Sequence, residues 1–188
     1  MTILNSRNQI AWKWVEGFAV VFNLLYTVLY IKESVFCWIF AFVGSFLFVL
    51  LCYKKKLIAE TALQFFYMLF AIYGYMHMTA IWEEHVWSLK SHLLFVGMGI
   101  VLTISSWQLL KKYSAAEMPL LDSFTTVFSL IATWIMVNFV HDNWLYWIII
   151  DFVTIYLYAK RGMYFGSLLF LVYLLLAING YWNLGWLS

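Results

Sequence analysis

Apolar residues run along the chain in seven stretches of near-membrane length, separated by short polar clusters. The stretches cover roughly 14–31, 34–53, 57–78, 92–110, 120–140, 144–159 and 163–182, and about 20 apolar residues let a helix cross bilayer hydrocarbon. The breaks read "KES", "KKK", "WEEHVWSLKS", "KKYSAAEMP", "HDN" and "KRG". Such short connections predict tight antiparallel helical neighbours, whereas a membrane barrel needs shorter, alternating strands. The pattern predicts an all-α membrane protein with seven transmembrane helices.

Composition sharpens this reading. The 188 residues are 65% hydrophobic and 22% aromatic, with 11% charged and a mean hydropathy of +0.87. A soluble domain carries about a quarter charged residues. The chain has a single proline, Pro119, and its N-terminal "MTILNSRNQIAWKW" is too polar for a cleavable signal. Cys37 and Cys52 share one stretch; at about 1.5 Å per helical residue they stand roughly 22 Å apart, too far to bridge. The net charge of +2 points to no nucleic-acid partner; the lipid bilayer is the expected surrounding.

Lysine and arginine partition sharply between the two ends of the predicted spans. Arg7, Lys13, Lys54, Lys55, Lys56, Lys111, Lys112, Lys160 and Arg161 fall on one side, and Lys32 and Lys90 on the other. Basic loops stay cytoplasmic. The N-terminus is therefore expected inside and the C-terminus outside.

The chain also resembles itself at an offset of 106. "EGFAVVFNL" (Glu16–Leu24) matches "DSFTTVFSL" (Asp122–Leu130), Trp38 falls on Trp144, Lys54 on Lys160, Tyr67 on Tyr173, and "AIYGY" (Ala71–Tyr75) on "AINGY" (Ala177–Tyr181). About a quarter of the aligned pairs are identical, where composition alone gives under about a tenth. The expected organisation is a first three-helix repeat over 14–78, a polar loop and linking helix over 79–115, and a second repeat over 116–182. The odd fourth span makes the repeats parallel, a 3+1+3 arrangement. Parallel repeats in membranes point to transporters with a site between the repeats near the midplane.

Polar residues inside the spans recur at helical spacing and are expected to face inward, since lipid rejects them. Span six carries Trp144, Trp147, Asp151, Thr154 and Tyr158 on one face; span three carries Glu60, Gln64, Tyr67, Ala71 and Gly74. Asn23, Thr27 and Tyr30 follow Glu16 in span one, and Asp122, Thr126, Ser129 and Thr133 line span five. Plainer readings stand beside these. Glu16 and Asp122 suit helix starts, where the dipole favours a carboxylate, and Glu60 lies within reach of the lysine cluster. Trp38 and Trp144 read equally as aromatic-belt anchors, and Asn23 and Asn179 as interhelical cross-links.

Asp151 resists a plain reading. It lies in "WLYWIIIDFVTIYLY" (Trp144–Tyr158), with no Lys or Arg deep in any other span. A charge there costs on the order of 2.5–3.5 kcal/mol on insertion scales. Acids and aromatics without bases suit a flat, cationic, hydroxylated ring compound. No metal-protease, P-loop, nucleophile-elbow or paired-cysteine motif is present, so neither an enzyme nor a cofactor or metal site is expected. Glu84, His85 and His92 in "EEHVWSLKSH" read as incidental residues of a polar loop.

Two segments carry a family resemblance. "CWIFAFVGSFLFVLLCYKKKLIAETALQFFYMLFAIYGY" (Cys37–Tyr75) resembles the second and third helices of the PnuC family of bacterial vitamin transporters. Leu120–Tyr181, with the W-x-x-W of Trp144 and Trp147 and "AINGY", resembles the last three. Leu63–Gln64 adds a further matching pair. The third helix departs from the family in ending "YGYMHM", without the tryptophan many members place after Y-G.

The resemblance implies a SWEET-like seven-helix facilitator in the bacterial inner membrane, uncoupled to ions or ATP. It also implies assembly as a homotrimer. The implied substrate is nicotinamide riboside, trapped inside by phosphorylation, with thiamine second. Carried over by position, Gln64, Tyr67, Trp144, Trp147, Asp151 and Asn179 would approach the substrate; Asn23, Trp38 and Glu60 join them from the polar faces above. A vitamin-binding subunit of a larger energised complex is the rival from a different class.

Overall fold

Bilayer hydrocarbon offers no water to backbone amides and carbonyls, so each crossing segment must satisfy them internally, as a helix does. The computed structural model describes residues 2–54, 58–80, 86–114 and 116–184, with side chains described from Trp12 onward except at 58–60, 79–80 and 165. Among the described residues there are seven helices: α1 (Thr2–Ile31), α2 (Cys37–Lys54), α3 (Ile58–Ala80), α4 (Leu89–Tyr113), α5 (Pro119–Val137), α6 (Asn143–Lys160) and α7 (Tyr164–Trp182). Trp12–Ile31, α2, α4 and α5 are each long and apolar enough to cross a membrane, and Gly166–Trp182 is a shorter apolar stretch. In α6, Asn143, Asp151 and the ring residues dilute the isoleucines and leucines. This is an all-α membrane fold.

Two boundaries differ from the hydropathy pattern. Helix α1 begins at Thr2, well ahead of the apolar stretch, because a polar segment sustains helical hydrogen bonds as readily as an apolar one. Helix α5 stops at Val137, although apolar residues continue to Val140, because the backbone turns there.

The helices fall into two units, α1–α3 and α4–α7. In the first, α2 packs against α1 and α3. In the second, α6 packs against α5 and α7, and α4 lies on α5. A close approach marks the α4–α5 seam: a Cβ on Gly99 would stand 2.7 Å from Phe128 Cζ and 2.9 Å from Ile131 Cδ1. Ile131, Ile135 and Val140 form the core beneath it, with Trp87, Phe95 and Tyr146 packed around them.

The offset of 106 recurs in three dimensions within each unit. Helices α2 and α6 run from Cys37 to Lys54 and from Asn143 to Lys160. The turns before them match bond for bond. Ser34 N–H donates to Leu29 O at 2.9 Å and Val140 N–H to Ile135 O at 3.2 Å; Glu33 N–H donates to Tyr30 O and Phe139 N–H to Met136 O, both at 3.0 Å. This is the Schellman closure of a helix end, which requires a left-handed residue just past the cap. Glu33 and Phe139 supply it, each with φ of 54°, where glycine is usual. Burial of Phe139 (4% exposed) and the Ile135–Val140 apolar contact offset the cost in the second copy. At the end of α6 the same closure uses Gly162, with φ of 70°, and Met163 N–H donates to Tyr158 O at 2.9 Å.

That last turn is tied back to the start of α5. Arg161 Nη2 donates to Asp122 Oδ1 and Oδ2 at 2.9 and 2.7 Å. Donating to Asp122 pushes the guanidinium above its ordinary range, against the opposing effect of partial burial. Asp122 is thus a structural acid at a helix start. Glu16, at the matching position, is exposed, as is Thr126, which helical spacing had placed on the inward stripe.

Glu33 is exposed, so Glu33→Gly removes left-handed strain without losing burial and is expected to raise stability by about 0.5 kcal/mol. Gly162→Ala is expected to lower it by about 1 kcal/mol. Thermal unfolding in detergent checks both, and a loss at Glu33→Gly would mean that the Glu33 side chain itself holds the turn.

Candidate functional site

Tryptophan can stack a ring ligand only if its own face is free, so the packing of Trp38 and Trp144 comes first. Each lies on a glycine of the third helix in its repeat. A Cβ on Gly74 would meet the Trp38 ring at 2.5 Å, and one on Gly180 would meet the Trp144 ring at 2.5 Å. Glycine is needed at both places for the close approach, not for backbone freedom. The rings are buried, 2% and 6% exposed, and neither sits as a belt anchor, which would face the membrane surface.

Their remaining surroundings differ. Trp38 Nε1–H donates to Met78 Sδ at 2.9 Å, and its ring lies edge-on to Tyr30 and tilted against Tyr26, both at 5.9 Å. At the positions of Tyr26 and Tyr30 the second repeat has Ala132 and Met136. The first tryptophan is therefore boxed by aromatics, and its indole proton is engaged. The second lies on Gly180.

Most hydroxyls and amides on the polar faces spend their donors locally. Asn23 Nδ2 donates to Ala19 O at 2.9 Å and Thr27 Oγ1 to Asn23 O at 3.1 Å. Thr133 Oγ1 donates to Ser129 O at 2.7 Å and Thr154 Oγ1 to Ile150 O at 2.8 Å. The Asn23 amide also packs against Gly44, where an added Cβ would lie 2.5 Å from Nδ2. Such back-bonding silences a polar group in hydrocarbon.

Three polar groups on the inward-facing stripes stand apart, while Thr103 Oγ1, Ser123 Oγ and Asn143 Oδ1, off those stripes, are also buried without a partner among the described residues. Asp151 is 4% exposed, and among the described residues no side chain hydrogen-bonds or ion-pairs with it; Tyr173 on α7 lies within electrostatic reach. Trp147 Nε1 is buried without a hydrogen-bond partner among the described residues. The part-buried Gln64 likewise makes no hydrogen bond among them. A buried polar group left unsatisfied costs about 1–3 kcal/mol, so these are the places where a polar ligand would gain most.

The sequence candidates fall into two sets. Asn23, Trp38, Gln64 and Tyr67 lie in the α1–α3 unit, where Tyr67 is within electrostatic reach of Tyr26. Trp144, Trp147 and Asp151 lie along α6, and Asn179, 2% exposed, on the neighbouring α7. The Glu60 side chain lies outside the described residues. No cluster of three or more His, Cys, Asp or Glu suited to a metal occurs among the described residues. Neither Cys37 nor Cys52 forms a disulfide among the described residues.

Sequence reasoning missed the residues around these groups. Tyr173 matches Tyr67 in the repeat, which was a usable signal. His92 is not a loop residue: it sits in the first turn of α4 with both ring nitrogens engaged. Nothing in "EEHVWSLKSH" alone could show its distant partners.

A family model described as Nicotinamide mononucleotide transporter matches residues 13–187. The chain is 22% identical over 198 residues to the nicotinamide riboside transporter PnuC of Escherichia coli, spanning 89% of this chain and 83% of that protein. It is 24% identical over 192 residues to the protein of the same name from Neisseria mucosa, spanning 90% and 71%. A crystal structure of the vitamin B3 transporter PnuC shares the fold, with a TM-score of 0.74 at 23% identity over 93% of this chain and 81% of that one.

Gly180→Ala forces the Trp144 ring to move and is expected to cost about 1–3 kcal/mol. Gly97→Ala, where an added Cβ meets nothing within 4 Å, is expected to be neutral or slightly stabilising. Equal unfolding temperatures for the two variants would contradict the Trp–Gly contact.

Proposed function

The chain belongs to the nicotinamide mononucleotide transporter family, and from that premise we propose that it carries nicotinamide riboside across the membrane by facilitated diffusion. Members of such a family transport and are not enzymes. Asp151 is the observation that favours this substrate: a buried carboxylate with no paired cation among the described residues, on the α6 face that also holds Trp144 and Trp147.

The nicotinamide ring of the riboside is a permanent cation, and its sugar is uncharged. A carboxylate lowers the cost of placing that cation in a low-dielectric site, and an indole face attracts it further. The same carboxylate opposes a nucleotide, whose phosphate would need basic groups. Nine of the eleven Lys and Arg residues lie in the polar breaks and the other two, Arg7 and Lys13, in the segment before the first span, so the riboside fits this chain better than the mononucleotide of the family description. Trp147 Nε1–H and the Gln64 amide are suited to hydroxyl partners. Asn23, Trp38, Glu60, Tyr67 and Asn179 complete the proposed set of substrate residues. Thiamine also carries a cationic ring, and Asp151 favours it for the same reason.

A facilitator only equilibrates its substrate, so accumulation needs a later step inside. Phosphorylation supplies it, because the product is an anion that this interior disfavours. The lysine and arginine partition supports an inner-membrane orientation with the N-terminus cytoplasmic and the C-terminus external.

Uptake into proteoliposomes holding only this chain tests the reading. Saturable uptake of nicotinamide riboside without ATP or an ion gradient is expected, and binding without uptake would favour a subunit of an energised complex. Asp151→Asn is expected to weaken nicotinamide riboside binding by at least about tenfold, or about 1.4 kcal/mol, and to spare riboflavin. Equal losses for both vitamins, or none, would remove Asp151 from the role.

A further inference from the structure

Helix α4 lies outside the repeat, yet its first turn grips the second repeat where α6 begins. His92 Nδ1 lies 3.0 Å from Tyr146 Oη, and Nε2 lies 3.1 Å from Asp142 Oδ2. A carboxylate only accepts, so Nε2 carries the hydrogen toward Asp142; in the singly protonated ring Nδ1 accepts from the Tyr146 hydroxyl. The two rings also stack at 5.9 Å.

Asp142 occupies the N-cap position of α6 but makes no cap bond to its own helix. A carboxylate there ordinarily accepts from a first-turn amide, whereas this one is turned toward α4. On the other side of the same turn, His141 Nε2 lies 3.0 Å from Tyr181 O and donates to it. Thus the α5–α6 turn is held from α4 and from α7.

The first repeat has no such grip. Its residues at the positions of Asp142 and Tyr146 are Phe36 and Phe40, whose side chains have no hydrogen-bonding group, and Phe36 is 61% exposed. The polar pair is thus confined to one of two otherwise matched turns. Asp142 and Tyr146 flank Trp144 in sequence, and Trp147 follows directly.

We propose that His92 is a positioning residue, which fixes the first turn of α6 and so sets the orientation of Trp144 and Trp147 for substrate. This inference rests on the reading of α6 as the substrate face. His92→Phe keeps the ring stack and removes both hydrogen bonds. His92→Gln restores a donor for Asp142 and an acceptor for Tyr146.

Two readouts on the folded, monodisperse protein separate the possibilities. Amide hydrogen exchange should quicken at 138–147 in His92→Phe, stay unchanged at the matched 32–41, and return in His92→Gln. Calorimetric affinity for nicotinamide riboside should fall by about tenfold in His92→Phe, recover most of that loss in His92→Gln, and fall no further in His92→Phe/Asp142→Asn. Unchanged exchange overturns the grip itself. Quicker exchange with unchanged affinity leaves His92 a purely structural residue and overturns the positioning role. A wild-type chain that binds no nicotinamide riboside, yet shows the exchange pattern, overturns the substrate reading and the positioning claim while leaving the grip in place.

Discussion

The absence of water in the bilayer interior governs this molecule. It forces the backbone into helices, and it makes each polar side chain find a partner or bear a desolvation cost. Thr27, Thr133 and Thr154 meet that demand by bonding to the carbonyl one turn back, and Asn23 does the same. Once those groups are accounted for, Asp151, Trp147 and Gln64 are left with capacity to spare on the inward stripes, and Thr103, Ser123 and Asn143 Oδ1 off them. The proposed chemistry follows from that remainder.

The two segments offset by 106 share a scaffold and differ in chemistry. Both copies keep the left-handed turn at Glu33 and Phe139 and the tryptophan laid on glycine, Trp38 on Gly74 and Trp144 on Gly180. Around those fixed points the copies differ. Buried Ser45 stands where the second copy has Asp151, Tyr26 and Tyr30 stand where it has Ala132 and Met136, and Phe36 and Phe40 where it has Asp142 and Tyr146. The first copy is stiffened by aromatic packing. The second carries the carboxylate and is held at its turn by His92.

Much of this was legible in the sequence, for physical reasons. Apolar runs fix helices because hydrocarbon permits little else, and an acid amid isoleucines is conspicuous. The close approaches at Gly74 and Gly180 were foreshadowed by "AIYGY" and "AINGY". Other features left no local trace. Glu33 and Phe139 adopt a conformation usually signalled by glycine, so the left-handed closures were invisible although "KES" and "HDN" marked breaks nearby, and α5 was read three residues too long. His92 meets Tyr146 and Asp142 across 54 and 50 residues, a distance no periodicity spans. The engagement of Trp38 with Met78 likewise depends on helix packing, which left its choice between anchor and ligand contact open.

The central claim is that a buried, unpaired carboxylate among tryptophans selects a cationic vitamin. Parallel calorimetric titration of the purified chain with nicotinamide riboside, thiamine, riboflavin and an uncharged nucleoside tests it most directly. The account predicts tight binding of a cationic vitamin, nicotinamide riboside first, and little or none of the two uncharged compounds. Preferential binding of riboflavin or the nucleoside would leave the family assignment standing and contradict the electrostatic account of Asp151.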